Sequence, residues 1–300
     1  MTTTFEASGR EIEVSNTDKV FFPDDGITKG EVVEYYHRIG ETMLPHAVDR
    51  PLTLHRFPDG IDSEGFFQKN TPDHFPDWIA RETLEKEGGT VVYPVCTDLA
   101  TLVYIADQGC ITPHVWLSRI DRPHEPDRMI FDLDPPEGSQ DIGLLHEAVR
   151  AVKGLLDDLS IPSFLMTTGS AGYHVLVPLD GSDDFDVVHD ISRRLARIVV
   201  ERFPGSTTVE QRKDQREGRV FVDYLRNSYG QTTVVPYSLR ALPGAPVATP
   251  IEWDELGDSE PRRWRIGNIF RRLGQVNDPW QRLADTDGIS AAGITERIEE

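Results

Sequence analysis

Between residues 128 and 225 the chain switches repeatedly between strand and helix periodicity, and the order of those switches limits the fold more than any other feature. RMIFDLDP (128–135) is an apolar run closed by two prolines, which predicts a strand. Residues 140–159 place Leu144, Leu145, Ala148, Val152, Leu155, Leu156 and Leu159 on one helical stripe. SFLMTT (163–168) and YHVLVPL (173–179) read as strands joined by the turn GSAG (169–172). A second amphipathic helix follows over 185–203, then strands at RVFVDYL (219–225) and TTVVPYSL (232–239). Strand, helix, strand, strand, helix, strand is the split βαβ order of ferredoxin- and RRM-like domains. It predicts an α+β fold: a mainly antiparallel sheet with two helices packed on one face.

The first 125 residues predict an α/β module. Val32, Tyr35, Tyr36, Ile39 and Met43 share a helical face over 31–44, with Thr28 as cap and Glu31 as its capping-box partner. PDHFPDWIA (72–80) reads as a turn and short helix, TVVYPV (90–95) as a strand, 98–110 as a helix, and HVWLSRI (114–120) as a strand. The Pro-rich RPHEPD (122–127) marks a connector. These signals predict a module over 1–125, a catalytic module over 126–300 ending in peripheral helices, and one compact domain overall.

Composition sets the class. The chain carries 31 Lys and Arg against 51 Asp and Glu, a net charge of −20, yet 38% hydrophobic residues and 24 glycines are ordinary for a globular protein. Its basic residues are 25 Arg and 6 Lys. Acid surplus with scarce lysine suggests a halophilic proteome. The charge argues against non-specific nucleic-acid binding but permits a local basic groove, because salt shortens the Debye length to ~3 Å at 1 M. No apolar run approaches the ~20 residues of a membrane span, and no signal peptide is visible. Cys96 and Cys110 are too few for a disulfide scaffold. A soluble, reduced, cytoplasmic protein is expected.

Asp132 and Asp134 lie two apart on one strand, so both carboxylates project from one face while Phe131 and Leu133 enter the apolar layer. Two like charges about 7 Å apart call for a counter-ion. Asp223 ends another apolar run, and the split βαβ order can bring its strand beside the first. Three oxygen donors favour Mg²⁺ or Mn²⁺ and suit two-metal phosphoryl transfer. Alone, DLDP also reads as a strand ending in solvent. The hairpin Thr167–His174 gathers hydroxyls and backbone N–H groups suited to phosphate, or else is a Gly-rich turn with a surface histidine. Arg240 ends PYSLR and is suited to a triphosphate, or is an exposed arginine after a strand. Lys19 and Lys29 flank a turn. Phe66 and Phe67 form an aromatic pair that stacks on bases or fills a core strand.

Together FDLDP, TGSAGYH, VFVDYLRN and PYSLR resemble the archaeo-eukaryotic primase superfamily. More narrowly, they are similar to the polymerase domain of bacterial ligase D and the stand-alone end-joining primase-polymerases. SNTDKVFFPDDGITKGEVVEYY, RPLTLHRFPDGIDSEGFFQKN and HVWLSRI extend the resemblance, from about residue 10 to about residue 280. The resemblance implies a primase-polymerase fold in which Asp132, Asp134 and Asp223 bind two Mn²⁺ or Mg²⁺ ions. It implies that His114, Thr168, Ser170, His174 and Arg240 contact nucleotide, with ribonucleotides preferred over deoxyribonucleotides. It places Asn16, Lys19, Lys29 and Arg216 at the 5′-phosphate of a DNA end, and Phe66 and Phe67, beside Arg56, at the template strand. Departures are Ala171 and His55 where the family commonly has lysine, Thr168 where it has serine, and Arg226 where it has glutamine. Arg226 is a candidate replacement for the charge missing at Ala171, and His55 keeps a place among the nucleotide contacts.

The function implied is template-directed nucleotidyl transfer in non-homologous end joining, at gaps and double-strand breaks. A two-metal phosphoesterase or nuclease, and a non-catalytic end-binding module, are the rival readings. No Lys-x-Asp-Gly ligase signature occurs in these 300 residues. The implied partners are therefore a Ku-like protein and a separate ATP-dependent DNA ligase.

Overall fold

The computed structural model describes residues 1–300. The chain divides into two compact units: Met1–Trp116 with Thr232–Ala248 and Trp264–Leu273, and Leu117–Gln231 with Thr249–Arg263 and Gly274–Glu300. The single boundary expected at 125/126 is replaced by a discontinuous division, because later segments return to the first unit.

In the first unit a sheet runs in the order Thr232–Val234, Cys110–Trp116, Arg50–Arg56, Gly89–Cys96, Arg81–Lys86, and Phe66–Gln68 pairs with Arg50–Arg56. Helix Lys29–Ala47 starts at the expected cap: the Thr28 hydroxyl accepts from the Glu31 N–H, and the Glu31 carboxylate accepts from the Thr28 N–H. It packs against helix Leu99–Asp107, which Asp98 caps. Val32, Ile39, Met43, Leu102 and Val103 enter one core with Leu52, Leu54 and Val115 of the sheet. Residues 72–80 form turns without the expected short helix. The strand expected at 114–120 begins earlier and ends at Trp116.

TTVVPYSL contributes only Thr232–Val234 as strand, and it joins the first unit by pairing with His114–Trp116. Pro236 lacks a donor and Tyr237 has φ 68°, so the ladder cannot continue.

The second unit carries the split βαβ. Its sheet order is Thr207–Thr208, Val220–Asp223, Arg128–Asp134, Tyr173–Pro178, Phe164–Thr167, Thr249–Ile251. Among the four middle strands each neighbouring pair is antiparallel. Helices Ile142–Asp158 and Phe185–Arg202, capped by Asp141 and Asp184, pack on one face. Alternation explains which face. Met129, Phe131, Leu133, Tyr173, Val175, Val177, Val220 and Val222 join helix residues such as Leu145, Val149, Leu195 and Val199 in one core. The intervening residues, Asp132, Asp134, His174 and Asp223 among them, therefore point to the other face. The expected C-terminal helices are short: 3-10 turns at Trp253–Asp258 and Gln281–Asp285, and α-helices at Ile269–Leu273 and Ala291–Glu299.

Candidate active site

Strand register builds the centre of the second unit. Asp132 stands directly opposite Asp223 on one neighbouring strand and opposite His174 on the other. Directly opposed antiparallel residues bring their Cβ atoms to roughly 4.5–5.5 Å on the same face. Asp134 lies on that face one pleat further along. Three carboxylates thus share one patch, and Asp132 is buried.

Such crowding is costly unless something neutralises it. Burial, then the charge of Asp132, pushes the Asp134 carboxyl up to about 6; His174 and Arg226 pull against that rise. Burial also raises Asp223, opposed by the Leu225 N–H that donates to its Oδ1 at 2.7 Å. His174 Nε2 lies 3.3 Å from Asp132 Oδ1, and Arg226 Nε lies 3.5 Å from Asp132 Oδ2. In this arrangement no three acidic, histidine or cysteine side chains close on a common point at ligand distance. The Asp132 oxygens instead face His174 and Arg226, and Asp223 Oδ1 accepts from the Leu225 N–H. The residues nevertheless fit a divalent cation: three oxygen donors on one face, brought side by side by backbone pairing, with two carboxyls burdened by burial and mutual repulsion.

The Thr168–Gly172 turn sits on the strand that carries Asp132 and Asp134. A Cβ on Gly172 would meet Leu133 O at 2.0 Å, so only glycine allows this approach. Thr168 is buried and shapes the turn: its hydroxyl accepts from the N–H groups of Ser170 and Gly172, each at 3.2 Å. Two of the N–H groups expected to face phosphate are consumed in this way. His174 is buried against Asp132, which corrects the surface-histidine alternative.

A cleft of about 670 Å³ opens beside Asp134, lined by Ser170, Ala171, Lys213, Arg216 and Arg262 among others. Arg262 Nε donates to Ser170 O at 2.9 Å and so braces the turn. Arg226, a candidate for the charge missing at Ala171, lies on Asp132 instead; Arg262 and Lys213 line the cleft with Ala171. The sequence carries no motif for Arg262, since its contact spans 92 residues. Asn227 closes the motif VFVDYLRN but is not among the candidate site residues. Its buried amide accepts from Ile130 N–H and donates to Ile130 O, both at 2.8 Å, and holds the strand of Asp132 and Asp134 in place. Arg216 is nearly buried, donating to Glu210 O and Gln211 O and lying 4.0 Å from the Phe221 ring centre.

The first unit gathers a second set of expected residues. Phe66 and Phe67 are 46% and 60% exposed, so neither fills a core strand. Register sets His55 opposite Phe67 and Arg56 opposite Phe66. The His55 ring stacks on Phe67 at 4.0 Å and 10°, while His114 meets Phe67 edge-on at 5.6 Å. The Arg56 guanidinium lies 5.5 Å from the Phe66 ring centre. Burial, then the nearby Arg240, lowers the His55 pKa. Lys19 and Lys29 are internally paired: Lys19 with Asp59 at 2.5 Å, and buried Lys29 with Asp107 at 2.7 Å and Ser15 O at 2.8 Å. Asn16 is exposed at a positive-φ turn whose carbonyl accepts from the Lys19 N–H.

A family model described as the LigD primase-polymerase domain matches residues 28–280. The chain is 35% identical over 297 residues to the multifunctional non-homologous end joining protein LigD of Mycobacterium bovis, across 96% of this chain and 39% of that protein. It is 28% identical over 272 residues to the bifunctional non-homologous end joining protein LigD of Bacillus subtilis, across 90% of this chain and 44% of that protein. It therefore spans about two fifths of the length of these relatives. The polymerase domain of Mycobacterium tuberculosis ligase D, solved in complex with DNA, superposes with a TM-score of 0.86 at 35% identity, covering 92% of this chain and 99% of that one.

Proposed function

The chain belongs to the LigD primase-polymerase family, and on that premise we propose that it is a template-directed nucleotidyltransferase that extends 3′ ends at gaps and double-strand breaks. The observation that carries this is the pairing of Asp223 with Asp132, two residues from Asp134 on the same face of a split βαβ sheet. Asp132, Asp134 and Asp223 would hold the divalent cations. Bound there, such ions lower the pKa of an attacking 3′-hydroxyl and neutralise charge at the α-phosphate. The protein's own share is positional. Asn227 fixes the strand that carries Asp132, Gly172 lets the hairpin close over it, and His174 steadies one oxygen of Asp132.

Several finer assignments belong to the same proposal. Ser170, Arg262 and Lys213 border the cleft beside Asp134 and are suited to phosphate oxygens. The exposed Phe66–Phe67 pair, backed by His55 and Arg56, is suited to stacking on bases. His114 and Arg240 complete the nucleotide contacts of the first unit, and Asn16, Lys19, Lys29 and Arg216 are assigned to a 5′-phosphate. To bind it, Lys19 must loosen from Asp59 and Lys29 from Asp107. We further propose Mn²⁺ as the preferred metal, ribonucleotides as preferred substrates, and a Ku-like protein and an ATP-dependent DNA ligase as partners in the cytoplasm. No helix is long and apolar enough to cross a membrane. The acidic, lysine-poor composition supports operation at high salt, where screening weakens repulsion of DNA.

The test is extension of a primer on a gapped duplex with a 5′-phosphate, using Mn²⁺ and ribo- or deoxyribonucleotides at low and molar salt. Templated addition is expected, and Asp132→Ala with Asp134→Ala should reduce it to background. Primer shortening without nucleotide would instead favour the phosphoesterase reading, and end-binding without incorporation the non-catalytic one.

A further inference from the structure

We propose that Arg226 is a built-in competitor for the metal at Asp132, a tethered cation that a divalent ion must displace. This rests on the reading of the three aspartates as the metal site. Arg226 follows Asp223 by three residues, in a turn pinned on both sides of it. Before it, the Leu225 N–H donates to Asp223 Oδ1; after it, the Asn227 side chain grips Ile130 and donates to Tyr224 O at 2.9 Å. The Arg226 backbone is thereby tied to the strands of Asp132 and Asp223. Its side chain spans the remaining distance, with Nε 3.5 Å from Asp132 Oδ2.

His174 and Arg226, which both face Asp132, differ in freedom. His174 is 4% exposed and sits on a central strand, so it stays in place. The Arg226 side chain is 41% exposed and long enough to swing out. Its field also reaches Asp134 and Asp223, where it favours the charged carboxylate. In its inward position it supplies part of the neutralisation that a metal would supply. An incoming ion must therefore take Oδ2 from the guanidinium and accept a positive charge close by. Both effects weaken metal binding, so removing the charge should strengthen it.

The experiment is titration of Mn²⁺ into wild type, Arg226→Gln, Arg226→Lys and Asp132→Asn, read as free Mn²⁺ by electron paramagnetic resonance. Arg226→Gln should bind roughly tenfold more tightly, a difference of ~1.4 kcal/mol. Arg226→Lys should stay near wild type, and Asp132→Asn should bind weakly. A second reading needs no substitution in the protein observed. In wild type, the Arg226 Nε–H resonance, assigned by its absence in Arg226→Gln, should move as Mg²⁺ saturates the site. The proposal is overturned if wild type binds through Asp132 while Arg226→Gln binds no tighter, or if the resonance stays fixed at saturation. If wild type and Asp132→Asn bind equally poorly, the metal-site reading falls and takes this proposal with it.

Discussion

Asp134 shows what the centre costs the protein. Its carboxyl is pushed up to about 6, from an ordinary value of 3.8, first by burial and then by Asp132. The folded state thus holds a proton that the unfolded state releases. This contribution to stability is fully present below about pH 4 and is lost as pH rises through about 6. Without divalent metal, Asp134→Asn should be more stable than wild type by roughly 1–2 kcal/mol at about pH 7.5, and no more stable at about pH 4. Urea melts at both pH values decide it; a less stable Asn variant at about pH 7.5 would refute this account of the site. At this scale the aspartates were legible because strand alternation and an apolar run fix where a carboxylate points. Arg226 was legible as a departure from the family, but not its contact with Asp132. That contact depends on a turn held by Asn227, whose partner Ile130 is 97 residues away.

The element that controls the site's shape is the hairpin joining Phe164–Thr167 to Tyr173–Pro178. Gly172 permits it to rest on the backbone of the Asp132 strand, with 2.0 Å between a hypothetical Cβ and Leu133 O. Gly172→Ala should therefore cost about 1–3 kcal/mol, as overpacking does, and reduce primer extension beyond what lost stability explains. A variant as stable and active as wild type would show that the hairpin need not seat there. The helix caps at Thr28, Asp98, Asp141 and Asp184 follow from local chemistry that a sequence displays directly. The six elements of the split βαβ were legible for the same reason: each has its own period. Thr232–Val234 was legible as a strand but not in its pairing, because its apolar pattern fits either sheet and only long-range packing against Cys110–Trp116 decides. The turn's glycines were legible as a loop signal, but Thr168's capture of two N–H groups requires the turn's own geometry.

The three carboxylates and the exposed aromatic pair lie in different units, and neither unit is continuous in sequence. Returning segments such as Thr232–Ala248 carry no compositional mark, so a linear reading of the sequence sets one boundary where the structure divides discontinuously. A net charge of −20 coexists with local cations at Lys213, Arg216 and Arg262, so the affinity proposed for a phosphate-bearing partner would rest on position rather than on total charge. What unites these features is the claim that Asp132, Asp134 and Asp223 jointly ligate divalent cations. The most direct measurement is anomalous scattering from crystals of the protein soaked with Mn²⁺ and a nucleoside triphosphate. Manganese peaks should fall about 2.1 Å from oxygens of all three aspartates, with the Arg226 guanidinium turned away from Asp132. Manganese bound elsewhere, with the three carboxylates unligated, would contradict it.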